Sequence, residues 1–238
     1  MATDPGPSVV LGPAFYHRPT LDVAAELIGT VLVHDVRGRR AAGMIVEVEA
    51  YIGESDPACH AAPGPTPRNA PLYGPGGRAY VYLNYGMHYL VNAVTEAEGS
   101  PAAILIRALE PVEGIDLMQR RRQRARAMRG ARVDAAQPIP PLDLCRGPGN
   151  LTVALGITLA QNCADLTDGA LRIEDRGYRP APVAWSTRIG ISVGTERPWR
   201  CIVAGHPCVS GRVERASARP AIVSAGGEAA PRRSALRP

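Results

Sequence analysis

The sequence predicts an α+β protein: a single mixed domain built around a largely antiparallel β-sheet with flanking helices. Three observations point there. The chain has 238 residues, enough for one sizeable core without covalent or metal staples. Runs of Val, Ile, Leu and Tyr with strand character are joined by short Gly-containing turns. Strand-like and helix-like segments do not alternate regularly, which disfavours a doubly wound parallel sheet.

The elements follow in order. Residues 1–10 open with Pro5, Gly6 and Pro7 and little to bury, so a flexible N-terminal segment is expected, with the domain spanning 11–211. A helix is expected over Thr20–Gly29, because Val23, Ala24, Leu27 and Ile28 share a face and Gly29 can end it. Thr30–Asp35 reads as a strand, Arg37-Gly38-Arg39-Arg40 as a turn, and Ala42–Tyr51 as a second strand. Ala79–Tyr85 and His88–Thr95 form a hairpin around Gly86-Met87. Ala102–Leu109 is a further apolar strand. Pro111–Met128 changes to helical spacing through Val112, Ile115, Leu117 and Met118, with acids near its start and arginines near its end. Arg120–Arg132 holds seven arginines and no acid; a solvated helix end and a phosphate-facing patch are equally consistent with it. Ala135–Leu142 is a proline-rich connector. Gly147-Pro148-Gly149-Asn150 opens a helix ending near Gly156. Short strands are expected at Leu171–Glu174, Thr187–Val193 and Cys201–Val203. Residues 212–238 carry six arginines, two glutamates and no apolar period, as a flexible basic tail would.

Composition narrows the chemistry. Hydrophobic residues make up 45% and charged residues 21%, which disfavours a wholly disordered or coiled-coil chain. No run of about 18 apolar residues suggests a membrane span, and no signal peptide is visible, so cytoplasmic residence is expected. The net charge is +5, and all 27 basic residues are arginine. Arginine suits bidentate phosphate contacts, although abundant Ala and Pro allow a general composition bias. Without lysine, side-chain Schiff-base chemistry is excluded. The five cysteines contain no C-x-x-C pair, so no zinc or iron–sulfur site is expected and they read as reduced packing residues.

Four segments carry possible chemistry. In Met44–Tyr51, strand alternation places Met44, Val46, Val48 and Ala50 on one face and Ile45, Glu47, Glu49 and Tyr51 on the other. Two neighbouring carboxylates would push one pKa upward, as a base needs, while a half-exposed strand with solvated acids would look the same. In Tyr80–Tyr89, Tyr80, Tyr82 and Asn84 share a face and Tyr85 sits at the hairpin tip. There a large ring is poorly placed for a core and well placed to wedge between base steps; Tyr80 and Tyr89 are readable simply as good strand residues. Arg107, amid apolar residues, must snorkel, pair or face a polar cavity. The long loop carrying Asp56-Pro57-Ala58-Cys59-His60 and Thr66-Pro67-Arg68-Asn69 has the length of a functional loop.

Together these residues resemble the alkyladenine (3-methyladenine) DNA glycosylase family. The resemblance runs through Glu47-Val48-Glu49-Ala50-Tyr51, His60, Thr66-Pro67-Arg68-Asn69, Tyr80-Val81-Tyr82, Tyr85-Gly86-Met87, Asn92, Arg107–Pro111 and Gly147-Pro148, in that order. It implies a curved sheet with a protruding hairpin and the release of alkylated or deaminated purines from duplex DNA, leaving an abasic site. The class comprises 3-methyladenine, 7-methylguanine, hypoxanthine and ethenoadenine. By the resemblance, Glu49 is the general base that activates water. Tyr51, His60 and Tyr82 line the pocket for the flipped base, and their faces would attract cationic alkylpurines. Asn92 excludes normal guanine, Arg107 holds the nucleotide, Tyr85 intercalates, and Arg68 and Asn69 are DNA-backbone candidates. The resemblance assigns Glu47 no role. It implies a monofunctional monomer without cofactor or metal, acting on damaged double-stranded DNA ahead of abasic-site repair enzymes. A non-catalytic damaged-DNA-binding protein on the same scaffold is the alternative; a glycosylase–lyase and an RNA-directed enzyme are more distant ones. Asn150 stands where many relatives carry lysine, Leu72-Tyr73 where they often carry Met-Phe, and Pro65 interrupts the Gly64-to-Thr66 motif.

Overall fold

The chain lays down strand β1 (Val9–Val10), helices α1 (Pro13–Tyr16) and α2 (Thr20–Leu27), and strands β2 (Val31–Val36) and β3 (Arg39–Ile52). Next come the hairpin β4 (Ala79–Asn84) and β5 (His88–Val94), strand β6 (Ala102–Glu113), and helices α3 (Ile115–Met128) and α4 (Pro148–Leu155). Strands β7 (Leu171–Asp175), β8 (Val183–Ser186) and β9 (Arg200–Val203) complete the order. The computed structural model describes residues 8–128, 137–180, 182–212 and 220. The fold is α+β: one antiparallel sheet in the order β1-β7-β2-β3-β6-β5-β4, with β9 pairing β3 and β8 pairing β9. Most of the two terminal segments expected to be flexible lies outside the described residues, but Val9 and Val10 pair with Asp175 and Glu174.

β3 is the axis of the sheet. One edge pairs with β6 along its length. The other edge is shared, with residues 39–44 pairing β2 and residues 47–49 pairing β9. Where β3 changes partner the β3–β6 register slips twice, between Ile45 and Glu47 and again between Glu47 and Val48. Bulges re-aim side chains, and these two bring Glu47, Glu49 and Arg107 together. They also alter the expected alternation: Ile45, assigned to the face of the glutamates, is buried in the main core with Val46. Both faces of β3 are buried here, so the solvated-acid reading of Glu47 and Glu49 does not hold. Helix α2 packs on β3 and β6, while α4 packs on β5 and β6 and against α3. All five cysteines are free, and Cys59, Cys145, Cys201 and Cys208 are buried.

Three expected elements are corrected. Pro111–Glu113 is the end of β6, not the start of a helix, because Gly43 and Ala42 of β3 pair with Pro111 and Glu113. The chain turns at Gly114, at φ +71°, where an added Cβ would run into the Arg40 carbonyl oxygen. The hairpin loop is Tyr85-Gly86-Met87, with both Tyr85 and Gly86 at positive φ and the Met87 amide donating to the Asn84 carbonyl. Thr187–Val193 is a loop; the strand there is Val183–Ser186, pairing with β9. The arginine-rich stretch divides. Arg121 and Arg122 donate to the Ala154 and Leu144 carbonyls, Arg120 and Arg124 are exposed, and residues 129–132 lie outside the described residues.

Candidate active site

Glu49 is fully buried in the second half of β3. Its carboxylate accepts three hydrogen bonds: from Tyr51 Oη at 2.9 Å, Arg107 Nη1 at 3.0 Å and the Ile189 amide at 2.7 Å. Burial pushes its pKa above the ordinary carboxylate value. Arg107, the Ile189 amide and Tyr51 oppose that rise, and the Glu47 charge adds to it least. The shift expected from two neighbouring acids is therefore present in direction, but desolvation is its main source. Arg107 pairs rather than snorkels: Nε binds Glu47 at 2.9 Å while Nη1 binds Glu49. Burial pulls its pKa down, and the charges of Glu49 and Glu47 more than offset this.

In front of this cluster opens a cavity of about 370 Å³. Tyr51, His60, Tyr80, Tyr82, Asn92 and Arg107 all contribute to its wall, as do Leu72 and Ile189. The structure thus gathers every substrate-side residue expected from the sequence. It adds Tyr80, for which strand propensity alone is a sufficient reading of the sequence. Tyr80 Oη lies 2.9 Å from His60 Nδ1, and the His60 and Tyr82 ring centroids are 4.5 Å apart. Burial, then the Arg68 charge, lowers the His60 pKa, so the imidazole is neutral at pH 7. The Tyr80 hydroxyl is pushed up to about 12, chiefly by burial, and stays protonated. Asn92 is buried opposite Tyr80 and donates its amide to the Tyr80 carbonyl at 2.9 Å. Asn84 and Tyr85 carry the cavity wall onto the hairpin.

Tyr85 is 83% exposed at φ +47°, a conformation uncommon for a bulky side chain. Met87 and Leu83 beside it are exposed too, so the hairpin presents an apolar tip. Of the two backbone candidates, Arg68 is exposed and lies 5.9 Å from the Tyr82 ring. Asn69 is corrected: it is 2% exposed, and its amide is committed to Thr66 N, His60 O and Gly64 O. It shapes the loop that delivers His60 and is not free to grip a phosphate.

Arg188 and the Ile189 amide contribute without a distinguishing signal in the sequence, where Asp56 stands out only as part of its loop. Arg188 and Asp56 form a fully buried bidentate pair at 2.6 and 2.8 Å. The Arg188 guanidinium stacks on Tyr51 and Trp199 and donates to the Ala50 carbonyl. That pair fixes the loop whose next residue, Ile189, donates to Glu49. Among the described residues, no group of three His, Cys, Asp or Glu side chains is arranged to hold a metal ion, and no helix is long and apolar enough to cross a membrane.

A buried carboxylate thus lies beside an aromatic-walled cavity with an apolar hairpin at its rim, and such walls suit a planar, stackable group. Comparison with known proteins gives the class: the family model for methylpurine-DNA glycosylase (MPG) matches residues 14–207. A protein of Burkholderia lata named "Putative 3-methyladenine DNA glycosylase" is 45% identical over 88% of this chain and 95% of its own. Identically named proteins of Methanocella arvoryzae (45% identical, 85% and 96% covered) and Chlorobaculum tepidum (43%, 84% and 90%) agree. The chain belongs to the methylpurine-DNA glycosylase family. Its class is that of a DNA-repair glycosylase, and DNA is its substrate.

Proposed function

We propose that the protein extrudes alkylated or deaminated purines from duplex DNA into the cavity and hydrolyses the N-glycosidic bond with water activated by Glu49. The observation that carries this reading is the Glu49 cluster at the back of an aromatic pocket. In the reaction, Glu49 takes a proton from water and the water oxygen bonds to the sugar anomeric carbon. The purine departs with the electron pair of the broken bond, leaving an abasic site. Because burial raises its pKa, Glu49 is a stronger base than a solvated carboxylate. Its negative charge also stabilises an oxocarbenium-like transition state. Tyr51, His60 and Tyr82 stack on the base, and Asn92 is the residue to discriminate against normal guanine. The test is single-turnover base release from duplexes carrying hypoxanthine or methylated purines. Release with an alkali-labile but otherwise intact strand supports a monofunctional glycosylase. Tight lesion binding without release would favour the damage-binding alternative, and a borohydride-trapped adduct would favour a lyase.

Tyr85 is the wedge in this reading, because an exposed ring at a turn tip can replace a flipped base in the stack. Tyr85→Ser is expected to weaken lesion-duplex binding about tenfold or more, since stacking contributes about 1–3 kcal/mol per base. Unchanged affinity in a titration would remove the wedge role. Binding is also expected to fall about tenfold between 50 and 200 mM salt for every two phosphates contacted. A flat salt response would contradict an arginine–phosphate interface.

A further inference from the structure

Glu47 accepts three hydrogen bonds beside the pocket, and the reaction above gives it no task. It is fully buried. Its Oε1 accepts from Arg107 Nε at 2.9 Å and from Arg200 Nε at 2.8 Å, and its Oε2 accepts from the Ser210 amide at 2.6 Å. Arg200, also buried, extends the network by donating to the Ser210 carbonyl at 2.6 Å and to Ser186 Oγ at 3.2 Å. Arg107 reaches Ser210 Oγ at 3.5 Å with its remaining nitrogen. Thus one guanidinium is divided between two carboxylates, and the chain around Ser210 is fastened behind them.

We propose that Glu47 is a positioning residue for the reaction: it holds Arg107 away from full bidentate pairing with Glu49 and so keeps Glu49 basic enough to accept a proton from water. The geometry supports this directly. Arg107 gives Nε to Glu47 and only Nη1 to Glu49, although guanidinium and carboxylate are shaped to pair through two parallel bonds. Were Glu47 neutral, the anchor on Nε would weaken and Arg107 would turn its charge to the one carboxylate left. Loss of the Glu47 charge would act in the same direction, because a like charge disfavours ionisation of its neighbour.

The other charged and titratable groups around Glu49 leave that sign unchanged. From β3 itself comes Tyr51, and from β4 Tyr82, both held protonated by burial. From the 187–191 loop comes Arg188, whose charge is taken up by Asp56. From β9 comes Arg200, which spends its bonds on Glu47, Ser186 and the chain at Ser210 and Arg212. Arg107 is therefore the cation that Glu47 can redistribute.

The proposal rests on the general-base reading of Glu49, and the experiment separates the two. Single-turnover base release from a hypoxanthine duplex is followed from pH 5 to 9 for wild type, Glu47→Gln and Glu47→Asp. A base must be ionised, so the wild-type rate rises with pH through the Glu49 pKa and then levels. In Glu47→Gln that acid limb is expected about one pH unit lower, with a plateau reduced on the order of threefold or more, because a weaker base activates water less well. Glu47→Asp keeps the charge and is expected to return the limb toward its wild-type position. A purely structural role would lower the rate equally at every pH and leave the limb in place; that result overturns the proposal. Equal displacement in Glu47→Asp and Glu47→Gln also overturns it. Should Glu47→Gln not fold, Glu47→Gln/Arg200→Gln removes one charge of each sign and is read in the same way. A wild type with no acid limb would instead count against Glu49 as base.

Discussion

Glu49→Gln is expected to reduce base release at least about a thousandfold while lesion-duplex affinity stays within about threefold of wild type. The side chain sets both halves of this expectation. A general base contributes about 10²–10⁴ in rate, and the loss of a fixed negative charge at a cationic transition state adds to that. Glutamine has nearly the same shape, so it can keep one oxygen toward the Ile189 amide, and Arg107 retains its bond to Glu47. The cavity walls and the hairpin, which hold the extruded base in the proposed reaction, are untouched. Single-turnover kinetics and equilibrium binding on the same hypoxanthine duplex read the two halves separately. Turnover in the variant within about tenfold of wild type would exclude Glu49 as the base. Loss of binding in parallel with turnover would mean that Glu49 holds the substrate and does not act only on water.

The second large effect is on stability. Asp56→Ala is expected to cost about 3–5 kcal/mol, because it leaves Arg188 as an uncompensated charge in a dry site. Several bonds fail together: both oxygens paired with Arg188, and the Ile52 and Ala58 amides that Asp56 also accepts. For a domain of this size the loss corresponds to about 10 °C or more in the unfolding midpoint. Circular dichroism melting measures it, and a drop of less than about 2 °C would show that the pair is easily replaced. The rate should fall as well, since Arg188 stacks on Tyr51 and precedes Ile189, both of which bond Glu49. Asp56→Asn, which keeps acceptor and shape but not charge, is expected to fall between the two.

These two residues also mark how far the sequence could be read. The Glu47-Val48-Glu49-Ala50-Tyr51 run is visible because its members lie within five positions, as is the Tyr80–Tyr89 hairpin, but the resemblance, not the spacing, singles out Glu49, whose partners Arg107 and Ile189 lie 58 and 140 positions away. Such spacing suggests faces and turns, but the bulges in β3 moved Ile45 to the core and the hairpin loop gained Tyr85. Asp56 and Arg188 are separated by 132 positions, and one arginine among 27 has nothing to distinguish it. The Thr187–Val193 segment has the β-branched residues of a strand, but its Arg188 and the Ile189 amide are held by Asp56 and Glu49, which leaves a loop. Likewise, the helical spacing after Pro111 was overridden by pairing of Pro111 and Glu113 with β3. Asn69 looked like a polar loop residue open to DNA, and only the folded loop shows its amide bonded inward.

β3 holds Glu49 between two paired neighbours, Leu105 of β6 on one edge and Arg200 of β9 on the other, whereas Tyr85 sits on a three-residue turn at the molecule's rim. In the language of hydrogen exchange, amides of the doubly paired central strand are expected to open more slowly than those of the exposed turn. If Tyr85 is the wedge and Glu49 the base, as proposed, the turn can open without disturbing the strand that holds the carboxylate.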